Sequence, residues 1–368
     1  MQSTRNTILP IFLRFTSILS LVSILVSCQL TPSSSATPPA PDSTEQIPAE
    51  SAPALPGPFQ TDLLNPLDTP HTYHRDTCRY LRYKWNPINA QPGTVVMVIL
   101  FKNINRGTTE LPDSITILDF FDLMELLKAQ GFEAINTNQL HGFLQRNAAI
   151  PPRSVLLIQD GNQTEEYFDK TFREYYVKWG WTVTNAWISE QNIDPILLEG
   201  NVSLELEGFV NHQARGVTPD AILSNDAAKT IIARELQGSL TGFESTFAKT
   251  PNAIIWPNGA FGIRPVEAAR QLRFRLGFTQ NPRGPIMYNW IPLADEVDPE
   301  RPDWLPEGRI NDPVMTLPVY SPQEAFNAVD TVRIIGETAA EYILSNQEVE
   351  QQYYNTVCAE EYGPLPTP

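Results

Sequence analysis

The feature that most limits the fold of this chain is an uninterrupted apolar run at Thr94–Phe101. The run is TVVMVILF and is bounded by Gly93 and Lys102. Apolar residues at every position, rather than at every second one, indicate a strand that is buried on both faces. Strands of this type occur in parallel sheets that are covered by helices, so the run predicts such a sheet.

Strand and helix signals alternate along the rest of the chain. A helix is predicted at Leu118–Gln130, where Thr116 is a suitable cap and Gly131 a suitable stop. Residues 281–318 contain many prolines and are predicted to be irregular. The other predicted strands are Phe132–Ile135, Ser154–Gln159, Thr182–Ile188, Glu207–Gln213, Ala253–Trp256 and Arg275–Thr279, and the other predicted helices are Thr137–Arg146, Glu165–Trp179, Asp226–Phe247, Pro265–Leu272 and Pro322–Ser345. Repeated β-α units predict an α/β fold with a distorted or incomplete (β/α) barrel.

The amino terminus carries the pattern of an export signal. Basic residues precede an apolar run at 18–26, which is too short and badly flanked for a standard transmembrane helix. Residues 25–28 are Leu-Val-Ser-Cys, and small residues before a cysteine are typical of a bacterial lipobox. We predict a signal peptide at 1–27 and a lipid on Cys28, which would anchor an exported protein to a membrane of the cell envelope. An ordinary signal peptide with a chance cysteine is the alternative.

Composition and cysteine positions suggest how the exported part is organised. Residues 29–58 are rich in Pro, Ser, Ala and Thr, and this composition predicts an extended tether. The predicted parts are the lipidated cysteine and tether at 28–58, an N-terminal strap at 59–93, the barrel at 94–345 and a C-terminal strap at 346–368. Cys78 and Cys358 lie in the two straps, and outside the cytoplasm such a pair favours a disulfide, with two separate thiols as the alternative. The formal net charge of −16 argues against a nucleic acid partner.

Four stretches between about residues 94 and 280 occur in the order and spacing of a known family. They are VMVILFKNI, then FDLMELLKAQGFEAINTNQL with IPPRSVLLIQDG, then GFVNHQARGVTP, and finally NAIIWPNGAFGIRPVEAARQLRFRLGFT. Together they resemble the polysaccharide deacetylases, the NodB homology domain of carbohydrate esterase family 4. The resemblance implies the distorted barrel of that family, with functional residues at the carboxyl ends of the strands.

The resemblance also implies a chemistry, the hydrolysis of N-acetyl or sometimes O-acetyl groups on a sugar polymer. In that family one aspartate and two histidines hold a divalent metal. A second aspartate is the general base, and a later histidine is the general acid. The metal lowers the pKa of its bound water and polarises the acyl oxygen, and three protein ligands leave a position open for water and substrate.

The carboxylate motif of the family is only half retained. Its Thr-Phe-Asp-Asp-Gly sequence falls on residues 157–161, which places Gln159 at the base and Asp160 at the metal aspartate. An amide does not accept a proton near neutral pH, so the general base is missing. Asp160 is the only family ligand that the sequence retains.

The histidine positions of the family are replaced. The preferred register places them on Arg215 and Pro219, whereas a shift by three residues places His212 on the first and Gly216 on the second. Asn258 replaces the tyrosine of the family's Pro-Tyr-Gly turn and is a candidate binding residue, as are Arg215, His212 and Trp256. No histidine follows His212, so the late acid is also missing.

Two roles for Asp160 remain open. A guanidinium forks well onto a carboxylate, so Arg215 is predicted to take the vacated charge position and pair with Asp160. Alternatively, Asp160 caps the turn into the next helix through local backbone hydrogen bonds.

Histidines and aromatic residues give further candidate sites. His212 is a candidate displaced ligand, although a lone strand histidine is more often a core residue, and His71 and His74 form an H-x-x-H pair with no evident third ligand. Several aromatic residues are candidates for stacking on a sugar, with core packing as the more frequent alternative; they are Trp256, Trp290, Trp304, Tyr288 and Tyr320.

Three functions follow from these observations. The replaced positions favour a pseudoenzyme that binds a polysaccharide, an oligosaccharide or a partner at the former catalytic cleft. The alternatives are an active metal-dependent hydrolase with rearranged ligands and a structural lipoprotein of the envelope. We expect no cofactor, with zinc or another divalent metal only if the site is rebuilt. The other expected partner is the membrane, through the Cys28 lipid.

Overall fold

The computed structural model describes residues 52–107, 114–299 and 305–367. Cys28, the predicted signal peptide and Trp304 lie outside the described residues. The chain divides into two compact units, and every described residue belongs to the second, Glu50–Pro368. Within the described part of the chain, no helix combines the length and the apolar character needed to cross a membrane.

Strands and helices alternate through most of this unit. The strands are β1 (Asp68–His71), β2 (Val95–Phe101), β3 (Asn103–Asn105), β4 (Ser114–Thr116), β5 (Glu133–Ala134), β6 (Arg153–Asp160), β7 (Val183–Ile188), β8 (Val210–Gly216), β9 (Ala253–Ile255), β10 (Leu276–Phe278) and β11 (Ile291–Ala294). The helices are α1 (Thr77–Lys84), α2 (Ile117–Ala129), α3 (Thr137–Arg146), α4 (Glu165–Thr171), α5 (Arg173–Trp179), α6 (Pro195–Glu207), α7 (Lys229–Phe247), α8 (Ile263–Gln271), α9 (Pro322–Ser345), α10 (Gln347–Tyr353) and α11 (Ala359–Tyr362).

The main sheet is parallel and curls into a half-barrel. Its strand order is β10-β9-β8-β7-β6-β2, and β5 also pairs with β6. The predicted α/β fold with an incomplete (β/α) barrel is therefore confirmed. The sheet does not pair β10 with β2 directly. Instead, Leu317 hydrogen-bonds to the β10 residue Gly277, and Tyr320 hydrogen-bonds to the β2 residues Val98 and Leu100.

Strand β2 separates two apolar cores, as its uninterrupted apolar sequence predicts. All seven of its residues are buried. Met97, Ile99 and Phe101 pack in the core that contains α2 and α9, whereas Val98 and Leu100 pack in the second core. Because side chains alternate between the faces of a strand, both sets must be apolar.

The structure corrects the bounds of one predicted strand and of one predicted helix. The predicted strand Glu207–Gln213 begins only at Val210, because helix α6 occupies Pro195–Glu207. Asp194 caps this helix by accepting from the Ile196 amide, and a left-handed Gly208 ends it. Both signals are visible in the sequence, but apolar residues lie all around α6 and obscure its helical period.

The predicted helix Glu165–Trp179 is divided at Phe172 into α4 and α5. The Phe172 ring is buried against Phe101, Phe120 and Phe168. The packing of this ring between two helices and the sheet is a tertiary effect, which the periodicity of one segment does not reveal.

The proline-rich excursion at 281–318 also contains a strand that the sequence analysis missed. Strand β11 pairs antiparallel with β1 and forms a two-stranded ribbon. Each strand includes a proline, Pro70 in β1 and Pro292 in β11, and these two residues are register partners. Proline lacks an N–H, so it argues against a strand in sequence and is tolerated in a narrow ribbon such as this one.

The two ends of the described chain are tied together. Cys78 and Cys358 form a disulfide with an S–S distance of 1.99 Å. Glu350 accepts from Lys84 Nζ and from Trp85 Nε1, each at 2.8 Å. Residues 55–58, predicted as the end of the tether, lie against the domain, where Tyr342 Oη donates to Gly57 O at 3.0 Å.

Helix α9 approaches the start of β2 at a contact between two glycines. Gly93 has a φ of +77°, and a Cβ atom on it would lie 2.3 Å from Gly336 O. A Cβ atom on Gly336 would lie 2.9 Å from Gly93 O. The absence of both side chains therefore allows the helix to lie directly on the end of the strand.

Gly336→Ala is expected to reduce the free energy of unfolding by about 1–3 kcal/mol, because the added methyl group overpacks this contact. Gly142→Ala is the matched control, since Gly142 is also inside a helix and its nearest foreign atom would be 3.4 Å away. That control should be neutral or stabilising by up to about 1 kcal/mol. Urea denaturation measures both, and equal effects would contradict the close packing of α9.

Candidate functional site

An acidic and a basic side chain meet at the carboxyl ends of two strands. Asp160 ends β6 and Arg215 lies near the end of β8, with β7 between them. Trp187 pairs with Ala214 and Ile188 pairs with Gly216, so Arg215 is an extra residue in β8. A bulge of this kind redirects a side chain. Ala186 is the register partner of Asp160, so the intervening strand carries only a methyl group at that point.

The two side chains form a buried ion pair. Arg215 Nε donates to Asp160 Oδ1 at 2.5 Å, and Arg215 Nη1 donates to Pro219 O at 2.8 Å. Arg215 is 5% exposed and Asp160 is 8% exposed. The pairing that the sequence left as one of two alternatives is therefore present in the structure.

Asn162 connects the turn after β6 to the end of β7. Asn162 Oδ1 accepts from the Ile188 amide at 2.9 Å, and Asn162 Nδ2 donates to Ile188 O at 2.9 Å. Gly161 adopts a left-handed φ of +84° at this turn. Thr164, rather than Asp160, caps helix α4.

Gln159 is held away from solvent by its own hydrogen bonds. Its Oε1 accepts from Tyr167 Oη at 2.8 Å, and its Nε2 donates to the backbone carbonyls of Lys102 and Asp160 at 3.1 and 3.0 Å. The residue is completely buried. At the position where the resemblance places a general base, the structure therefore has an amide that links β6, α4 and the end of β2.

The segment after β8 is held by a buried carboxylate. Glu235 of α7 accepts from the amides of Val217 and Thr218 at 2.9 Å and from Thr218 Oγ1 at 2.7 Å. Burial acts to raise the pKa of Glu235, but the hydrogen bonds from Thr218 and Val217 outweigh it and lower the pKa. Together with the Arg215–Pro219 bond, these contacts fix the start of the loop at 217–226.

The same loop forms one wall of a cleft at the carboxyl ends of β8 and β9. This mouth cleft has a volume of about 680 Å³, and its lining includes Ile222, Asn225, Asn258, Phe261 and Arg309. Asn258 Nδ2 donates to Ala221 O at 3.4 Å, and Asn225 Oδ1 accepts from the Ile263 amide at 2.7 Å. Of these residues, the sequence analysis selected only Asn258.

The described aromatic candidates lie mainly in the core, which is the alternative that the sequence analysis gave as the more frequent one. Trp256 is completely buried and donates from Nε1 to Met315 O at 2.8 Å. Trp290 and Tyr320 are also buried, and Tyr288 packs against His74. Trp256 thus has no free face on which a sugar could stack.

His212 is part of the core and not of the ion-pair site. Its Nδ1 lies 3.1 Å from Glu205 Oε2, and its Nε2 lies 2.9 Å from Asn201 Oδ1. Its ring stacks on Phe247. Both ring nitrogens therefore have partners, and the alternative that His212 is a displaced ligand is not supported.

The H-x-x-H pair is also separated. His71 Nε2 lies 3.0 Å from Asp295 Oδ1, whereas His74 packs between Tyr73, Tyr80 and Tyr288. The two imidazoles thus serve different contacts and do not converge on one point.

The residues at the family's metal positions do not fit a metal ion. Arg215 is permanently protonated, so its guanidinium repels a cation at the place where a histidine would bind one. Pro219 has no side-chain donor atom, and its backbone oxygen accepts from Arg215. In the described ranges there is no group of three His, Cys, Asp or Glu residues that could hold a metal ion.

The fold is that of the polysaccharide deacetylases. The chain is similar to the Streptococcus pyogenes deacetylase PplD, solved in complex with acetate, at a TM-score of 0.50 and 15% identity over 65% of this chain and 99% of that chain. It is also similar to IcaB from Ammonifex degensii, at a TM-score of 0.49 and 12% identity over 67% of this chain and 99% of that chain. A de-N-acetylase from Aggregatibacter actinomycetemcomitans is similar at a TM-score of 0.48 and 12% identity, over 65% of this chain and 99% of that chain. No family model and no curated protein matches the sequence. At this identity the likeness to PplD establishes the fold, which confirms the structural part of the resemblance.

Asp160→Asn is expected to reduce the free energy of unfolding by about 3–5 kcal/mol, because it leaves the Arg215 guanidinium buried without a counter-charge. The double variant Asp160→Leu with Arg215→Met should recover most of this loss, since it removes both charges together. Urea denaturation of the single and double variants measures the coupling between the two residues.

Asp330→Asn is the matched control for this pair. Asp330 binds Arg333 on the surface of α9, with its side chain 63% exposed, so its loss should cost less than about 1 kcal/mol. Equal losses for Asp160→Asn and Asp330→Asn would show that the buried pair is not electrostatically important.

Acidification from about pH 7 to about pH 5 is expected to destabilise the protein in part through His212. Burial lowers the pKa of His212 below 6.5, so the unfolded chain takes up a proton in this range while the folded chain does not. His212→Gln should therefore make the loss of stability on acidification shallower, by at most about 1.4 kcal/mol per pH unit. The midpoints of urea denaturation at several pH values measure this loss of stability. Parallel curves of stability against pH for the unmodified protein and for His212→Gln would contradict the expectation.

Proposed function

We propose that this chain is a divergent, non-catalytic member of the polysaccharide deacetylase family that binds a saccharide at the mouth cleft. The observation that carries the proposal is the position of Arg215. Its guanidinium contacts Asp160 and the backbone oxygen of Pro219, so it joins two of the positions at which the resemblance places metal ligands. The third such position is Arg215 itself. A fixed positive charge of the protein thus takes the place of the cation.

Loss of the metal would remove the main source of catalysis. In the family, a bound metal supplies an activated water and polarises the acyl oxygen. A guanidinium hydrogen-bonds to oxygen, but it has no coordination position for a water molecule. Gln159 adds to this argument, because both ends of its amide are used in buried hydrogen bonds and it cannot act as a base.

The mouth cleft has the chemistry of a saccharide site. Its volume lies within the range of small-molecule sites, and it combines apolar surface with a few polar groups. Asn225 and Asn258 supply amides suited to sugar hydroxyls, while Ile222 and Phe261 supply apolar contact. The ion pair supports this cleft indirectly, because Arg215 holds Pro219 at the start of the loop that lines it.

We further propose that the protein is exported and held in the bacterial cell envelope by a lipid on Cys28. The lipobox pattern at residues 25–28 supports this location. The disulfide between Cys78 and Cys358 supports it independently, since such bonds persist mainly outside the cytoplasm.

Saccharide binding can be tested by calorimetry with oligomers of N-acetylglucosamine and of glucosamine. Ile222→Arg should reduce the affinity on the order of tenfold, because it places a long charged side chain at the cleft. Ile88→Arg is the matched control: Ile88 is 77% exposed and does not line the cleft, whereas Ile222 is 62% exposed. The control should bind like the unmodified protein. Equal binding by both variants, or no binding of any oligomer, would contradict the proposal.

The same preparations distinguish the enzymatic alternative. Metal analysis and acetate release from acetylated glucosamine polymers should give neither stoichiometric metal nor turnover. Stoichiometric zinc, together with turnover that Asp160→Ala abolishes, would instead establish an active hydrolase with rearranged ligands.

A further inference from the structure

We propose that the chain has a second ligand site, a basic cleft near the amino ends of the strands that binds a phosphate group. The basic cleft has a volume of about 320 Å³, and its lining includes Arg79, His141, Gln145, Arg270 and Arg275. Arg275 directly precedes β10, and His141 and Gln145 lie on α3. None of these residues lines the mouth cleft.

The charge of this cleft is opposite to that of the whole protein. The chain has a formal net charge of −16, yet the described lining of the basic cleft holds three arginines and two histidines and no carboxylate. Such a concentration of positive charge attracts anions to one place on an otherwise acidic surface.

The arginines have different roles. Arg270 is neutralised by Asp312, which it contacts through Nε and Nη2 at 2.7 Å each, and it also donates to the carbonyls of Phe274 and Arg275. Arg270 is therefore a rigid part of the wall. Arg79 lies 3.7 Å from Asp76, a loose surface pair. The exposed Arg275 and the half-buried His141 are left as the main groups for an incoming anion.

The field at His141 supports this assignment. Burial lowers the pKa of His141, and the charges of Arg275, Arg146 and Arg270 lower it further. A bound anion would oppose these charges and favour the protonated imidazole. His141 thus reports directly on whether the cleft is occupied.

The donors of the basic cleft belong to three separate elements, which we expect to favour phosphate over a carboxylate. Arg79 belongs to α1, His141 and Gln145 belong to α3, and Arg275 belongs to the connection between α8 and β10. Donors that come from three elements match the tetrahedral oxygens of a phosphate better than the two coplanar oxygens of a carboxylate. The cleft has room for more than a phosphate group alone. The bound phosphate group could therefore belong either to a phosphorylated saccharide or to free phosphate.

Histidine NMR tests the proposal, because the chain has only four histidines. Inorganic phosphate should raise the apparent pKa of His141 and leave the buried His212 unchanged. Arg275→Gln should weaken phosphate binding on the order of tenfold, and Arg275→Lys should retain part of it. Arg106→Gln is the matched control, since Arg106 is an exposed arginine that lines neither the mouth cleft nor the basic cleft, and it should retain the full response.

Two further ligands show whether the cleft binds free phosphate or a phosphorylated saccharide, and whether it prefers phosphate to a carboxylate. Glucosamine 6-phosphate should shift the His141 resonance as strongly as inorganic phosphate does or more strongly, and a stronger response would identify a phosphorylated saccharide. A His141 resonance that does not respond to either phosphate compound would overturn the proposal. Equal responses to glucuronate and phosphate, or an unchanged response in Arg275→Gln, would overturn it as well.

Discussion

The contact between Arg215 and Asp160 connects the sheet of this protein to the mouth cleft. It spans β7, it is buried, and it extends through the Pro219 carbonyl into the loop at 217–226. Desolvating two charges is costly, so a buried pair of this kind contributes less to net stability than its short distance suggests. Its effect is on position: each charge requires the other, and together they fix where the loop begins.

The same contact gives a buried aspartate at the strand ends a partner from the protein itself. In a barrel of this type the strand ends converge, and polar groups there need partners because they are shielded from water. A metal ion would satisfy an aspartate at that place, and here a guanidinium does so. Gln159 follows the same principle, since its amide satisfies a tyrosine hydroxyl and the Lys102 carbonyl. In the proposed function, the positions that carry catalysis in the family have structural roles in this chain.

The mouth cleft and the basic cleft differ in charge. The mouth cleft is lined by amides, apolar groups and a few charges, which suits a neutral or weakly charged sugar. The basic cleft concentrates arginines in a protein whose net charge is strongly negative. A ligand with both sugar and phosphate groups would therefore meet different chemistry at the two ends of the barrel.

The sequence by itself determined the fold class, because the uninterrupted apolar run of β2 and the alternating elements leave few alternatives to a covered parallel sheet. It also located Asp160, Arg215 and the cysteine pair, through motif order and residue chemistry. It did not locate α6, whose apolar residues lie on all sides, or β11, whose proline hides it. Only the tertiary structure decided that Trp256 is buried and that Arg215 reaches across β7. Burial and reach depend on which strands become neighbours in the sheet, and consecutive elements are neighbours only part of the time, so the pattern of one segment does not determine them.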